Sequence, residues 1–124
     1  MDSQAHVRKA RRLEATLYRL ELTADSETII ETCMLAGTHY LNALAHDNGI
    51  LDVSDDLLHS DKPELGMPIP DGLAPAFASM KFIEDLRPGL VRGPDDPSED
   101  DVQKCLDNFG VVASMMSGQP EKSS

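Results

Sequence analysis

The chain has 124 residues, a length that suits one domain with one hydrophobic core. Its net charge of −11 argues against non-specific wrapping of nucleic acid, which requires a broad basic surface. Aromatic residues make up 4% of the chain and tryptophan is absent, so the core must be aliphatic, which favours helices.

Two helices are predicted in the first part of the chain. Asp2 or Ser3 can cap the first helix, which we expect to continue to about Leu22. The second runs over about residues 27–46, and the turn at Asn48-Gly49 ends it. Their predicted buried stripes are Ala10, Leu13, Leu17 and Leu20 in the first helix and Cys33, Gly37, Tyr40, Leu41 and Leu44 in the second.

A long connection follows, from Ile50 to Pro70. It is rich in Asp, Ser and Pro and predicts at most one helical turn, around Asp55 to Leu58. Connections of this length are uncommon in a small domain. Such segments are often either functional or mobile.

Two further helices complete the pattern. Asp71 is predicted to cap the third helix, which tolerates Pro75 in its first turn and closes at residues 87–89. Ser98 opens the fourth, with Asp101 three residues on in the position of a capping box. The predicted buried positions are Leu73, Phe77, Met80 and Ile83 in the third helix and Val102, Cys105, Leu106, Phe109, Val112 and Met116 in the fourth.

These elements predict an all-α fold, an up-and-down four-helix bundle with a long connection between the second and third helices. Residues 1–116 would form one helical-bundle domain and residues 117–124 a flexible C-terminal tail. Cys33 and Cys105 each lie on an apolar face, which indicates buried thiols in a reducing compartment. No apolar run approaches the length of a membrane span and no secretion signal is recognisable, so we expect a cytoplasmic protein.

The second helix contains an uncharged stretch. Fifteen residues, from Thr32 to His46, include no Asp, Glu, Lys or Arg, although charged residues make up 27% of the chain. One flank of the stretch carries His39, Asn42 and His46 within about 60° of one another. An uncharged flank would be unusual in contact with water, so we expect protein to cover it.

This polar flank has two interpretations. The imidazoles could act as general acid and base or as ligands, with Asn42 orienting a substrate. The pattern favours the alternative, in which these groups hydrogen-bond to the long connection or across a subunit boundary. His59 could reach the same flank or lie exposed on the loop.

No metal or cofactor is predicted. His39 and His46 lie two helical turns apart, about 10 Å, which is too far to share one ion comfortably. The only set that could hold a metal would combine His46 and His59 with Glu84 or Asp85.

Two groups of cations could bind anions. Arg87 could bind a phosphate or carboxylate, but its neighbours favour pairing with Asp85, Glu84 or the last carbonyls of its own helix. A basic stripe in the first helix is expected to pair with acidic side chains of the same protein. RNA is the alternative partner. The stripe consists of Arg8, Arg12 and Arg19.

Residues 36–46, Gly49 and the run Asp85-Leu86-Arg87 resemble small bacterial helical bundles of the HEPN type, the higher-eukaryote and prokaryote nucleotide-binding domains. The resemblance covers roughly residues 11–92. It implies a four- or five-helix bundle, often dimeric, of a kind found beside nucleotidyltransferases, in toxin–antitoxin pairs and in RNA-cleaving defence proteins. The nuclease motif places an Arg shortly before a His. Here Asn42 and His46 match its later elements, whereas Leu41 stands at the Arg position.

The sequence therefore predicts a non-catalytic helical-bundle module. It would self-associate as a homodimer and bind a protein partner or a nucleotide. We expect no association with a membrane, and binding of nucleic acid only through the basic stripe. The alternative is a HEPN-type enzyme acting on RNA or a phosphorylated small molecule. In that scheme His46 is the general base, His39 or His59 the acid, and Arg87 holds phosphate.

Overall fold

The computed structural model describes residues 1–57 and 69–117. Within these ranges four α-helices occur and no strand, which confirms the predicted all-α four-helix bundle. The helices are α1 (Ser3–Leu17), α2 (Ser26–Asp47), α3 (Ala74–Leu90) and α4 (Glu99–Ser117), with a 3₁₀ turn at Asp71–Leu73. Helix α2 lies at the centre and packs against α1, α3 and α4. No helix in the described ranges is long and apolar enough to cross a membrane.

Helix α1 begins as predicted and ends early. The Asp2 carboxylate accepts a hydrogen bond of 2.8 Å from the backbone N–H of Ala5, which confirms Asp2 as the cap. The expected end near Leu22 is wrong, because the helix stops at Leu17. The N–H groups of Arg19 and Leu20 already bond the carbonyls three residues back, Thr16 at 3.0 Å and Leu17 at 3.3 Å. The Asp25 carboxylate then accepts the N–H of Glu21 at 2.8 Å, which a longer helix would direct to the Leu17 carbonyl.

Helix α2 closely follows its prediction. It ends one residue after His46, and Gly49 then adopts a left-handed conformation with φ of 71°. The side-chain amide of Asn48 donates to the carbonyl of Leu44 at 2.8 Å and satisfies one of the last acceptors. The chain turns here so that Ile50 is buried against the end of α2.

Helix α3 differs from its prediction at both ends. The 3₁₀ turn precedes it, so Asp71 makes no side-chain cap and the helix proper begins at Ala74. The expected stop at residues 87–89 is wrong, since the helix passes Pro88 and ends at Leu90. Proline near a helix end sacrifices one hydrogen bond. The bond that Pro88 cannot make is the one to the Glu84 carbonyl. After Pro88, the Arg87 carbonyl accepts the N–H groups of Val91 and Arg92, both at 3.0 Å.

Helix α4 begins with the predicted capping box. Ser98 N–H donates to the Asp101 carboxylate at 3.0 Å, and Asp101 N–H donates to the Ser98 hydroxyl at 3.1 Å. The described part of the chain ends with this helix at Ser117, so residues 118–124 of the predicted tail lie outside it. The predicted turn at 55–58 is not formed at residues 55–57, and Leu58 lies outside the described residues.

The predicted stripes form the core. The predicted positions of α2 and α3 are buried, as are Ala10 of α1 and Val102, Cys105, Phe109 and Val112 of α4. The remaining predicted positions are only partly buried: Leu13, Leu17, Leu20, Leu106 and Met116. Cys33 and Cys105 are buried free thiols on facing sides of α2 and α4. A hydrogen bond with Cys105 and burial raise the pKa of the Cys33 thiol, which disfavours the reactive thiolate.

Tyr40 makes the stability of the bundle sensitive to alkaline pH. Burial and a hydrogen bond of 2.8 Å to the Glu14 carboxylate raise its pKa to about 12 from 10.0. The unfolded chain releases this proton at lower pH than the folded chain, so stability should fall as pH rises from about 10 to about 12. Urea unfolding across this pH interval should show a smaller loss of the free energy of unfolding in Tyr40→Phe than in the wild type. The exposed Tyr18→Phe is the control, and an equal loss in all three proteins would contradict the assignment.

Candidate functional site

The uncharged flank of α2 is covered by the chain itself. Asn42 is 1% exposed, and its amide donates to the Leu57 carbonyl at 2.9 Å while accepting the Leu57 N–H at 2.6 Å. The segment that follows α2 therefore folds back along the helix. A second subunit is not needed to explain the uncharged flank, and homodimerisation stays a prediction.

Beneath this segment lies a histidine–aspartate cluster formed by His6, His39, His46 and Asp56. Asp56 Oδ1 lies 2.8 Å from His6 Nε2 and 2.8 Å from His46 Nε2. His6 Nδ1 lies 2.9 Å from His39 Nδ1, and His46 Nδ1 lies 3.1 Å from the Leu51 carbonyl. The ring centroid of His6 is 5.2 Å from that of His39 and 5.4 Å from that of His46.

Three chain segments bring these groups together. His6 lies in the first turns of α1, on the same inward side as Ala10. His46 lies in the last turn of α2, and His39 lies two turns earlier. Asp56 comes from the segment that Gly49 redirects and that Asn42 holds through Leu57. The cluster therefore depends on the antiparallel packing of α1 against α2.

The carboxylate of Asp56 is held in its ionised form. Burial tends to raise its pKa, but hydrogen bonds from His6, His46 and the Met1 amino group outweigh burial and lower the pKa to about 2. The Met1 amino group lies 3.2 Å from Asp56 Oδ2 and 2.9 Å from the Val53 carbonyl. Two imidazole nitrogens thus face a carboxylate that keeps its negative charge at neutral pH.

The cluster is enclosed. The side chains of His6 and His46 are 2% and 1% exposed, and Asp56 is the most open of the three at 28%. A nucleotide-sized substrate cannot contact both imidazoles in this arrangement. The chemistry open to the cluster is the exchange of protons among its own groups or the binding of a small cation.

Arg87 belongs to a different site. Its Nε donates to Glu31 at 2.7 Å and its Nη1 to Glu84 at 3.0 Å, so the predicted pairing with Glu84 is confirmed. Glu31 and His46 are separated by about 22 Å along α2. The structure therefore does not bring Arg87 or Glu84 to the histidines. Asp85 is exposed on α3, and His59 lies outside the described residues.

The outer side of α1 forms a basic face, defined by Arg8, Lys9, Arg11 and Arg12. The exposed positions of this helix are these four cations together with Gln4 and Ala15, and none of them is acidic. In the described ranges none of Arg8, Lys9, Arg12 and Arg19 forms an ion pair, so the pairing predicted between the basic stripe and acidic side chains of the protein is not observed there. Arg19 is exposed just beyond the end of the helix.

Sequence reasoning missed His6 and Asp56. His6 continues the stripe of Ala10, Leu13 and Leu17 at helical spacing, and this pattern could have placed it in the interior. Asp56 carries no such signal, because it lies in a segment without periodicity. Its position follows only from the fold.

Comparison with known proteins gives no relationship. No family model matches the chain, and the searches of curated proteins and of solved structures return no match. The HEPN resemblance stays a prediction.

Proposed function

We propose that this protein is a non-catalytic helical-bundle module that binds single-stranded nucleic acid through the basic face of α1. The observation that carries the proposal is a helix surface with four exposed cations and no acid in a chain of net charge −11. Arginine predominates in this face. Its guanidinium group matches phosphate geometry better than lysine does.

The basic face is costly for the isolated helix. Arg8 stands three and four residues before Arg11 and Arg12, and like charges at these spacings destabilise a helix. Residues 1–20 contain five basic and two acidic side chains, while the remaining residues contain six and twenty. The charge of the protein is thus strongly asymmetric, which directs an anionic partner to α1 and away from the rest of the surface.

An exposed aromatic side chain favours a single strand as the partner. Tyr18 is 86% exposed at the end of α1 and directly precedes Arg19. A ring in this position can stack on an unpaired base while the arginines contact the phosphates, the combination that single-strand binding proteins use. The bases of a duplex would not be available to Tyr18.

The enclosed histidine–aspartate cluster and its separation from Arg87 support a binding role instead of catalysis. The enzyme alternative needs His46, an acid and Arg87 around one phosphate. Binding through α1 needs none of these groups. It also does not require a dimer.

Fluorescence anisotropy with a labelled oligouridylate of about 12 nucleotides tests the proposal. We expect binding at low salt that weakens with a log–log slope of about −2, as for about three neutralised phosphates on a single strand. The double variant Arg8→Glu/Arg12→Glu should weaken binding by about tenfold or more. Tyr18→Ala should weaken it about fivefold or more.

A matched control separates the basic face from net charge. The double variant Lys81→Glu/Arg92→Glu changes the charge by the same amount at exposed positions of α3 and of the loop that follows it. It should retain most of the affinity. Absence of binding by the wild type, or equal losses in the two double variants, would overturn the proposal. The same oligomer as DNA and as a duplex distinguishes the kinds of nucleic acid.

A further inference from the structure

We propose that His6, His46 and Asp56 form a binding site for one divalent transition-metal ion. The ligand atoms of these three residues all lie within 4.8 Å of one another. They come from α1, α2 and the segment after α2, so the site exists only in the folded chain. The proposal is independent of nucleic-acid binding.

The hydrogen bonds of His46 provide the first argument. A backbone carbonyl can only accept, so His46 Nδ1 must carry a proton to bond the Leu51 carbonyl at 3.1 Å. The other nitrogen, Nε2, faces a carboxylate oxygen at 2.8 Å, and this group also accepts. Nδ1 is thus occupied by the Leu51 carbonyl, and Nε2 and the Asp56 carboxylate are the groups that face each other. A metal ion between them would be bound by both, while Nδ1 keeps its carbonyl partner.

The surroundings of the three residues provide the second argument. Histidine ligands usually donate their other ring N–H to a carbonyl or another acceptor, which fixes the ring for coordination. The Leu51 carbonyl does this for His46, and His39 Nδ1, 2.9 Å from His6 Nδ1, can do so for His6. Asn42 fixes the backbone of Leu57, the residue after Asp56, by two hydrogen bonds.

The distances between the three ligand atoms would suit a metal ion after small movements of the side chains. Each Nε2 is now 2.8 Å from Asp56 Oδ1, whereas ligand atoms around a tetrahedral zinc lie about 3.3 Å apart. Asp56 can supply this expansion, since it belongs to no helix and is 28% exposed. The two imidazole nitrogens lie within 4.8 Å of each other and must also come to about 3.3 Å.

The ligand set selects the kind of ion. Two imidazoles and one carboxylate suit zinc, cobalt, nickel or ferrous iron, whereas magnesium and calcium prefer oxygen ligands alone. Three protein ligands leave at least one coordination position for water. The ion would join the N-terminal part of α1 to the end of α2 and to the connection after it, because its ligands come from these three segments. Both histidines are nearly fully buried, so the ion would lie inside the protein.

Titration of the full chain with Co²⁺ tests the site. We expect visible d–d absorption that saturates at one ion per chain and is displaced by Zn²⁺. No thiolate-to-metal charge-transfer band should accompany it, which would distinguish the site from Cys33 and Cys105. We also expect Zn²⁺ to raise the melting temperature. Absence of saturable d–d absorption would overturn the proposal.

Two variants assign the ligands. His46→Asn keeps a donor for the Leu51 carbonyl and removes the ligand nitrogen, and Asp56→Asn keeps the size of the carboxylate and removes its charge. Each should weaken Co²⁺ binding by about 100-fold or more. This exceeds the usual effect of losing a residue that only hydrogen-bonds to a metal ligand. Asp55→Asn, at the exposed neighbouring carboxylate, should bind as the wild type does. Wild-type affinity in either ligand variant would overturn the assignment, and if one variant fails to fold the other still decides.

Discussion

Replacing Arg87 with methionine should lower the free energy of unfolding by about 3–5 kcal/mol. The guanidinium group is the partner of two carboxylates, Glu31 at 2.7 Å and Glu84 at 3.0 Å. The Glu84 side chain is only 6% exposed, so its charge would remain in the protein interior without this cation. Methionine preserves most of the apolar stem, and the loss therefore reports the charge interaction more than lost packing.

A double-mutant cycle in urea unfolding measures this interaction. Glu84→Gln removes the buried charge, so in the Arg87→Met background it should restore part of the lost stability. Lys104→Met provides the comparison, because it breaks a pair with Asp100 whose side chains are 60% and 73% exposed. We expect little change from that variant. If Arg87→Met costs no more than Lys104→Met, the cluster around Arg87 does not stabilise the fold.

The fold itself was predictable because it follows from local patterns. Apolar residues recur at helical spacing in all four helices, and Asp2, Gly49 and the Ser98–Asp101 box mark helix ends through contacts within a few residues. The uncharged flank of α2 also indicated correctly that protein lies against it. These features need no knowledge of the tertiary structure.

Errors at helix ends arose from competing side chains. At the end of α1, Arg19 and Leu20 bond the carbonyls three residues back, and Asp25 then accepts the N–H of Glu21 that a longer helix would use. At the end of α3, Pro88 lies where a single lost hydrogen bond does not stop the helix. In both cases the sequence contains the residues that end or continue the helix, but it does not show which of these competing effects is stronger.

The candidate sites depend on long-range contacts and were only partly predictable. His46 was identified, yet its partners are 40 residues earlier, at His6, and 10 residues later, at Asp56. Arg87 likewise pairs with Glu31, which is 56 residues away. Such pairs depend on how α1 and α3 dock against α2. The exposed basic face of α1, in contrast, needs only helical geometry, and the stripe predicted from the sequence includes Arg8 and Arg12 of this face.

The contact between Gly37 and Met80 gives the second large effect. Gly37 lies in the buried part of α2, and a Cβ there would overlap Met80 Sδ and come within 2.9 Å of Met80 Cε. Met80 is 1% exposed, so its side chain has little room to move. Gly37→Ala should therefore lower the free energy of unfolding by about 1–3 kcal/mol, although alanine is the better helix former.

Two further variants show that overlap causes this loss. Gly110→Ala, in α4, adds a Cβ with no atom within 4 Å and should raise stability by about 0.5–1 kcal/mol through helix propensity alone. Met80→Ala removes the obstructing atoms, so in that background Gly37→Ala should become neutral or stabilising. The sign of the Gly37→Ala effect, measured by urea unfolding, would then depend on Met80. A loss of the same size in both backgrounds would show that another constraint in α2 requires glycine at this position.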